Sequence, residues 1–283
     1  MFNVQKIGTK ILIGFSITLT LSIFVVAISL SELNNIAKQS AQITSLRTPM
    51  VKASTQMQNG INEALAALRG WMLLGDGSFK DIRQKAWVDI NQSLEAMHKI
   101  PESGESSKNI RQISDLLKIF REYQDEIESI AQTRENIPAM HTLFTDAAPR
   151  AATIITKITV ILNVEKSAPI SPQRKKLFAT MADFRSSMGI SLAHIRAYLL
   201  SGDEGFRQKF HEALNKNQIH FEELTERQME LNYKQKKAFS ELAKTRSEFI
   251  PLTTSMLKLR SREDWNIANH WLKTNAAPLG LQL

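Results

Sequence analysis

Four arginines fall into two pairs, each separated by 127 residues. Arg69 lies in "ALRGWMLLGDGSF" (67–79) and Arg196 in its echo "HIRAYLLSGDEGF" (194–206), while Arg47 and Arg174 stand 22 residues before each of them. A guanidinium matches a carboxylate through two parallel N–H bonds, and a cation enclosed between helices needs an anion for company. The chemistry open to these residues is therefore recognition of an acid. Two alternatives stand beside it. Arg69 and Arg196 follow the apolar Leu68 and Ile195, so each can lay its stem on a core and send its charge into water. Arg47 and Arg174 can equally be surface arginines.

Catalytic arrangements are missing from the pattern. The six histidines (His98, His141, His194, His211, His220, His270) include no pair three or four apart, and the chain has no cysteine, so no metal site is expected. The "GDG" and "GDE" turns lack the preceding strand and full glycine spacing of a phosphate loop. No Ser-His-Asp or paired-carboxylate spacing can be argued, so neither an enzyme nor a cofactor is expected. Trp71, Trp87, Tyr198 and Phe206 read as core aromatics rather than as a binding platform.

The elements that must position the arginines are helices. Gly and Pro are few, at 11 and 8 of 283 residues. Met57, Ile61, Ala64, Leu65, Leu68 and Met72 recur at the spacing of one buried helical face. The spacing predicts one long helix over about 32–74, kinked or joined at Pro49. Gly75 should end it in the left-handed conformation, with Asp76 or Ser78 capping the next helix. That helix runs through Trp87 and Met97 to "PESGESS" (101–107). A third begins near Lys108, weakens around Pro138 and Pro149, and resumes through "AATIITKITVILNV". Pro169 and Pro172 look like a boundary between halves.

The second half repeats the first. Met57, Ile61, Leu65 and Leu68 map onto Phe184, Met188, Leu192 and Ile195. Gly75–Asp76 maps onto Gly202–Asp203, "SDLLK" (114–118) onto "SELAK" (240–244), and "TDAAP" (145–149) onto "TNAAP" (274–278), with shifts of 126 to 129. An internal duplication of about 38–165 and 166–283 is the better account of so many matches in one order, the second copy being incomplete. "PESGESS" corresponds to "QMELNYK", which has no Pro or Gly, so a longer unbroken helix is expected there in the second copy.

Residues 11–30, "ILIGFSITLTLSIFVVAISL", carry no charge and as a helix span about 30 Å, the thickness of a bilayer core. Lys6 and Lys10 precede the run. The positive flank predicts residues 1–10 in the cytoplasm and 31–283 outside it, in the periplasm, with one inner-membrane span. The run is too long for a cleaved signal peptide. The formal net charge is +8, yet no basic run interleaves with aromatics, so nucleic acid is not an expected partner.

The anchor, the stretch "LRTPMVKASTQMQNGINEALAALRGWMLLGDGSFKDIRQKAWVDI" and its diverged second copy resemble the helical bimodular sensor domain. That domain occurs in bacterial methyl-accepting chemotaxis proteins and some sensor histidine kinases. The resemblance implies an all-α fold of two stacked up-and-down four-helix bundles sharing long helices. It further implies a periplasmic sensor that binds small organic acids, a homodimer joined through the first helix, and a helix displacement passed across the membrane. It puts Arg47 and Arg174 at the carboxylate-gripping position of each module. The second membrane helix and the cytoplasmic signalling module, expected to contact a chemotaxis kinase complex, lie outside this sequence. The alternatives are a histidine-kinase sensor region and an anchored periplasmic helical adaptor without a small ligand.

Overall fold

The computed structural model describes residues 4–100 and 104–283, and the fold is all-α, about 90% helical. Among the described residues the α-helices follow in order: α1 (Val4–Gln42), α2 (Thr48–Leu74), α3 (Ser78–His98), α4 (Gly104–Ile130), α5 (Pro138–Thr142), α6 (Ala148–Glu165), α7 (Pro172–Ser201), α8 (Glu204–Glu226), α9 (Tyr233–Arg260), α10 (Ile267–Trp271) and α11 (Ala277–Gln282).

Three of the joins are not breaks. Ile43–Arg47, Leu143–Ala147 and Leu272–Ala276 are single wide turns of π-helix, and each ends two residues before a proline: Pro49, Pro149 and Pro278. A proline offers no N–H and its ring crowds the carbonyl four residues back. Widening the preceding turn relieves that crowding, and bonds spanning five residues take over: Ala148 N–H to the Leu143 carbonyl, Ala277 N–H to the Leu272 carbonyl, and the Thr48 hydroxyl to the Ile43 carbonyl. The chain therefore stays helical from Val4 to Leu74, and Pro149 does not weaken its helix. The real interruption is at 131–137, ahead of Pro138 at the start of α5.

The expected glycine stops are present. Gly75 and Gly202 take φ of 65° and 73° and close α2 and α7. Asp76 accepts from the Ser78 N–H at 2.9 Å, and Asp203 caps α8 from the Gly205 N–H at 2.7 Å. One expectation fails. "QMELNYK" is a helix break, with a 3₁₀ turn at Gln228–Glu230 and a new start at Tyr233. The reason is Asn232, whose side chain accepts from the Gln235 N–H while the Gln235 side chain accepts from the Asn232 N–H, a reciprocal capping box that needs neither Pro nor Gly.

The chain divides into two compact units, residues 1–121 with 279–283, and residues 122–278. This division falls inside α4 rather than at Pro169–Pro172. The first unit buries Met57, Ile61 and Leu68 of α2, Trp87 and Ile90 of α3, and Leu117 and Phe120 of α4. The apolar stretch of α1 within it is exposed throughout, with Ile11, Leu12 and Phe15 each more than half accessible. In the second unit Ile154, Ile158 and Ile161 of α6, Leu177, Met181, Phe184 and Met188 of α7, Phe210 of α8, and Phe239, Leu242 and Phe249 of α9 form one core. Asn136 clips the same unit, donating to the Ala131 carbonyl and accepting from the Ala268 N–H, both at 2.8 Å.

Candidate functional site

Of the four arginines singled out by spacing, Arg47, Arg69 and Arg196 are exposed. Each stands one or more positions off the buried stripe of its helix, so none is enclosed. Arg174 differs. Its side chain is 25% accessible, and the guanidinium donates through Nη2 to Oε2 of Glu165 at 2.5 Å and through Nη1 to the Glu230 carbonyl at 2.8 Å. Arg174 does grip a carboxylate, but the carboxylate belongs to the protein.

Glu165, the last residue of α6, is 5% accessible. Its Oε2 also accepts from Gln235 Nε2 at 2.7 Å, while its Oε1 is buried and accepts from no protein donor. Beside this network the loop joining α6 to α7 borders an open pocket of about 310 Å³, lined by Glu165, Lys166, Arg174, Lys175 and Phe178 among others.

The pocket shares Lys166 and Phe178 with a larger groove between α6 and α7 of about 540 Å³. Leu162, Phe178, Ala182 and Ile190 give that groove apolar walls; Thr159, Asn163 and Ser186 add polar groups, and its only charged residues are Lys166 and Arg185. Among the described residues neither cation has a carboxylate within 4 Å. A cation-only, largely apolar concavity of this size falls within the range of about 300–1,000 Å³ typical of small-molecule sites.

Sequence reasoning missed an arginine that is enclosed without an ion-paired carboxylate. Arg246 of α9 is 6% accessible. Its Nε donates to Asn217 Oδ1 at 3.3 Å, its Nη2 to Gln218 Oε1 at 2.8 Å, and its guanidinium lies 4.5 Å from the centre of the Phe221 ring. Burial pushes its pKa below the usual arginine value, partly offset by the charge of Glu222. Asn217 in turn donates to the Phe184 carbonyl at 3.0 Å and to Ser187 Oγ at 3.2 Å. One polar chain thus ties α9 to α8 and α8 to α7.

The sequence match between the two halves supplies an internal reference. Under the same shifts of 126 and 127, Ser187, Asn217 and Arg246 correspond to Gly60, Ile90 and Phe120 of the first unit, all buried there. A β-carbon on Gly60 would stand 2.8 Å from Ile90 Cγ1, so those positions pack closely in apolar form. The signal was available: "SDLLK" and "SELAK" set the register that places Arg246 at a core position.

The hairpin grooves of the two units differ in charge as well. The first, of about 300 Å³ between α2 and α3, has Glu63 and Asp89 as its charged residues. Its counterpart between α7 and α8 has Ile190 and Lys216 at those positions and adds Lys209, His194 and His220 alongside Asp183 and Glu212. The first-unit groove repels an anion. Among the described residues no group of three or more His, Asp or Glu is placed to hold a metal ion.

Residues 3–169 match the model of the four helix bundle sensory module for signal transduction. The match spans more than half of the chain, and the chain belongs to that family, a sensory signalling module typical of chemoreceptor ligand-binding domains rather than an enzyme family. No curated protein matches the chain.

Proposed function

We propose that the chain is the membrane-anchored, extracytoplasmic sensing region of a chemoreceptor of the helical bimodular type, and that it recognises small organic acids in its second unit. The observation that carries this reading is the α6–α7 groove, whose only charged wall residues are Lys166 and Arg185. A carboxylate entering it gains two unpaired cations, and its carbon skeleton gains apolar walls. The uncharged, exposed stretch of α1 serves as the inner-membrane span, with residues 1–10 cytoplasmic and 31–283 periplasmic. A homodimer joined through the first helix and a cytoplasmic output module complete the reading.

An acid bridging α6 and α7 changes their separation, and packed helices shift by about 1–2 Å in known switches. The test is a thermal-shift screen of the full chain in nanodiscs against organic acids at millimolar concentration. A ligand that binds only the folded form raises its melting temperature. A rise with acids, lost in the Lys166→Ala/Arg185→Ala variant, supports the reading. No rise with any acid favours an anchored helical adaptor instead.

A further inference from the structure

One end of the second unit carries much of the chain's excess positive charge. Residues 165–176 and 226–237 hold eight Lys and Arg against three Glu, in a chain whose formal net charge is +8. The two segments form one face, because Arg174 Nη1 donates to the Glu230 carbonyl and Arg227 Nη2 to the Gln173 carbonyl, both at 2.8 Å. Those two arginines are matched by Glu165 and Glu230. The lysines are not. Among the described residues Lys166, Lys175, Lys176, Lys234, Lys236 and Lys237 have no carboxylate within 4 Å.

Folding gives no reason for this arrangement. Helices α7 and α9 both begin at this face, and neither has an acidic residue in its first turn. The N-terminus is the positive end of a helix dipole and favours carboxylates over ammonium groups. Lysines placed there oppose the helices that carry them, and they raise the positive potential outside. Apolar groups accompany the charge. Ile170, Met229 and Tyr233 are 84%, 83% and 85% exposed. The open pocket beside the α6–α7 loop has Pro169, Ile170 and Phe178 as apolar walls, with Lys166 and Lys175 among its other lining residues.

We propose that this face docks an acidic protein, one of whose large apolar side chains seats in the pocket of Pro169, Ile170 and Phe178 while its carboxylates meet the surrounding lysines. Exposed apolar groups rimmed by charge mark interaction surfaces, and an anchor side chain held in a pocket carries much of the energy of such contacts. A second copy docking by the same face is disfavoured, since lysines would meet lysines. An acidic glycan offers nothing to Ile170, Met229 and Tyr233. A uniformly anionic lipid sheet would repel Glu226, which is exposed on the same face, whereas a protein of mixed charge can set a cation there. Nothing in this docking requires an acid in the α6–α7 groove.

The test uses the full chain in nanodiscs of zwitterionic lipid and two labelled synthetic peptides, read by fluorescence anisotropy. Both peptides are rich in glutamate; one has a central leucine and the other an alanine in its place. The leucine peptide should bind about ten-fold tighter, and salt should weaken both. In Ile170→Ser that difference should shrink while the salt-sensitive part of binding stays. Replacing Lys175, Lys176, Lys234 and Lys236 by Gln should lower the affinity for both peptides by about ten-fold or more. The same variant should melt no lower than the native chain, because it removes cations from two helix N-termini. It leaves Lys166 and Arg185 of the groove untouched, so a loss of peptide binding is separable from any loss of acid binding.

No binding of either peptide overturns the proposal, and so does binding that the four lysine substitutions leave unchanged. Equal affinity for the leucine and alanine peptides removes the anchor pocket. Capture by phosphatidylglycerol vesicles in place of the peptides overturns the choice of a protein in favour of a lipid surface. If the four-lysine variant does not fold, the peptide comparison in the native chain and in Ile170→Ser decides alone.

Discussion

Arg246 Nε donates to Asn217 Oδ1 at 3.3 Å inside the second unit, at the two positions where the first unit carries Phe120 and Ile90. The same hairpin-on-helix design is built once with an apolar contact set and once with a polar one. A guanidinium taken from water and hydrogen-bonded to neutral amides, with the charge of Glu222 offsetting its burial only in part, is an unfavourable way to fill a core.

That comparison yields a transplant experiment. Replacing Ser187, Asn217 and Arg246 together by their first-unit counterparts (Ser187→Gly, Asn217→Ile, Arg246→Phe) should stabilise the chain by about 1–4 kcal/mol, the gain seen when buried charged groups give way to well-packed apolar ones. Arg246→Ala alone should destabilise by about 1–3 kcal/mol, because Asn217 Oδ1 loses its donor in a fully buried place. Urea unfolding of the two variants checks both signs. A triple variant less stable than the single one would show that the polar chain is structural cement.

Arg174 and Glu165 make a second test. Removing Arg174 leaves a buried carboxylate charge with only the Gln235 amide for company, and Arg174→Ala should cost about 3–5 kcal/mol. Replacing Glu165 by Met in the same variant should recover part of that loss, since the stranded charge goes too. Melting temperatures of the single and double variants measure it.

At Gly202 the chain needs an absent side chain twice over. Its φ of 73° costs an alanine about 1–2 kcal/mol, and a β-carbon there would clash with Arg260 Nη2. Arg260 is not free to leave, because it donates to the Leu199 carbonyl at 3.0 Å and lies 3.7 Å from the Trp265 ring centre. Gly202→Ala should therefore destabilise by more than the backbone term alone. Adding Arg260→Ala should remove the steric part of the loss, as read by denaturant unfolding.

Acid should loosen the second unit. Arg227 donates to both oxygens of Glu230 at 2.7 and 2.8 Å and holds that carboxyl below the usual range; Lys157 does the same for Glu241 and Arg262 for Asp264. Their folded pKa values are depressed, so the unfolded chain binds more protons. The stability they contribute is complete above the ordinary carboxylate range and is lost as pH falls through about 4 and below. Melting temperature measured from pH 6 to pH 3 should fall over the lower part of that window. These groups are largely exposed, so salt should blunt the fall.

Much of the scaffold was legible because helices announce themselves by spacing and by their ends. The stripe from Met57 to Leu68 is buried as read, Gly75 and Gly202 end their helices in the left-handed conformation, and Asp203 caps α8, whereas the N-cap of α3 is Gly77, with no side-chain cap bond. One likeness between the two halves goes beyond the text match. α5, its wide turn and α6 recur 129 residues later as α10, its wide turn and α11. What escaped was polar chemistry within apolar surroundings. Arg246 sits in "AKTRSE", which reads as a solvated face, and Glu165 closes an apolar run that gives no hint of its burial. Asn232 was overlooked because stops were sought only in Pro and Gly, whereas the Asn-x-x-Gln pairing carried the signal.

Each wide turn ahead of a proline also alters how the chain must be counted. A turn that spends one additional residue puts the side chains before and after it out of phase by about 100° relative to an uninterrupted helix. Positions in the apolar stretch of α1 and positions in α2 that look collinear on a continuous helical wheel therefore point in different directions. A cysteine scan along this rod should show its periodic pattern slip by one position on crossing Ile43–Arg47, and substitution of Pro49 by alanine should restore the step.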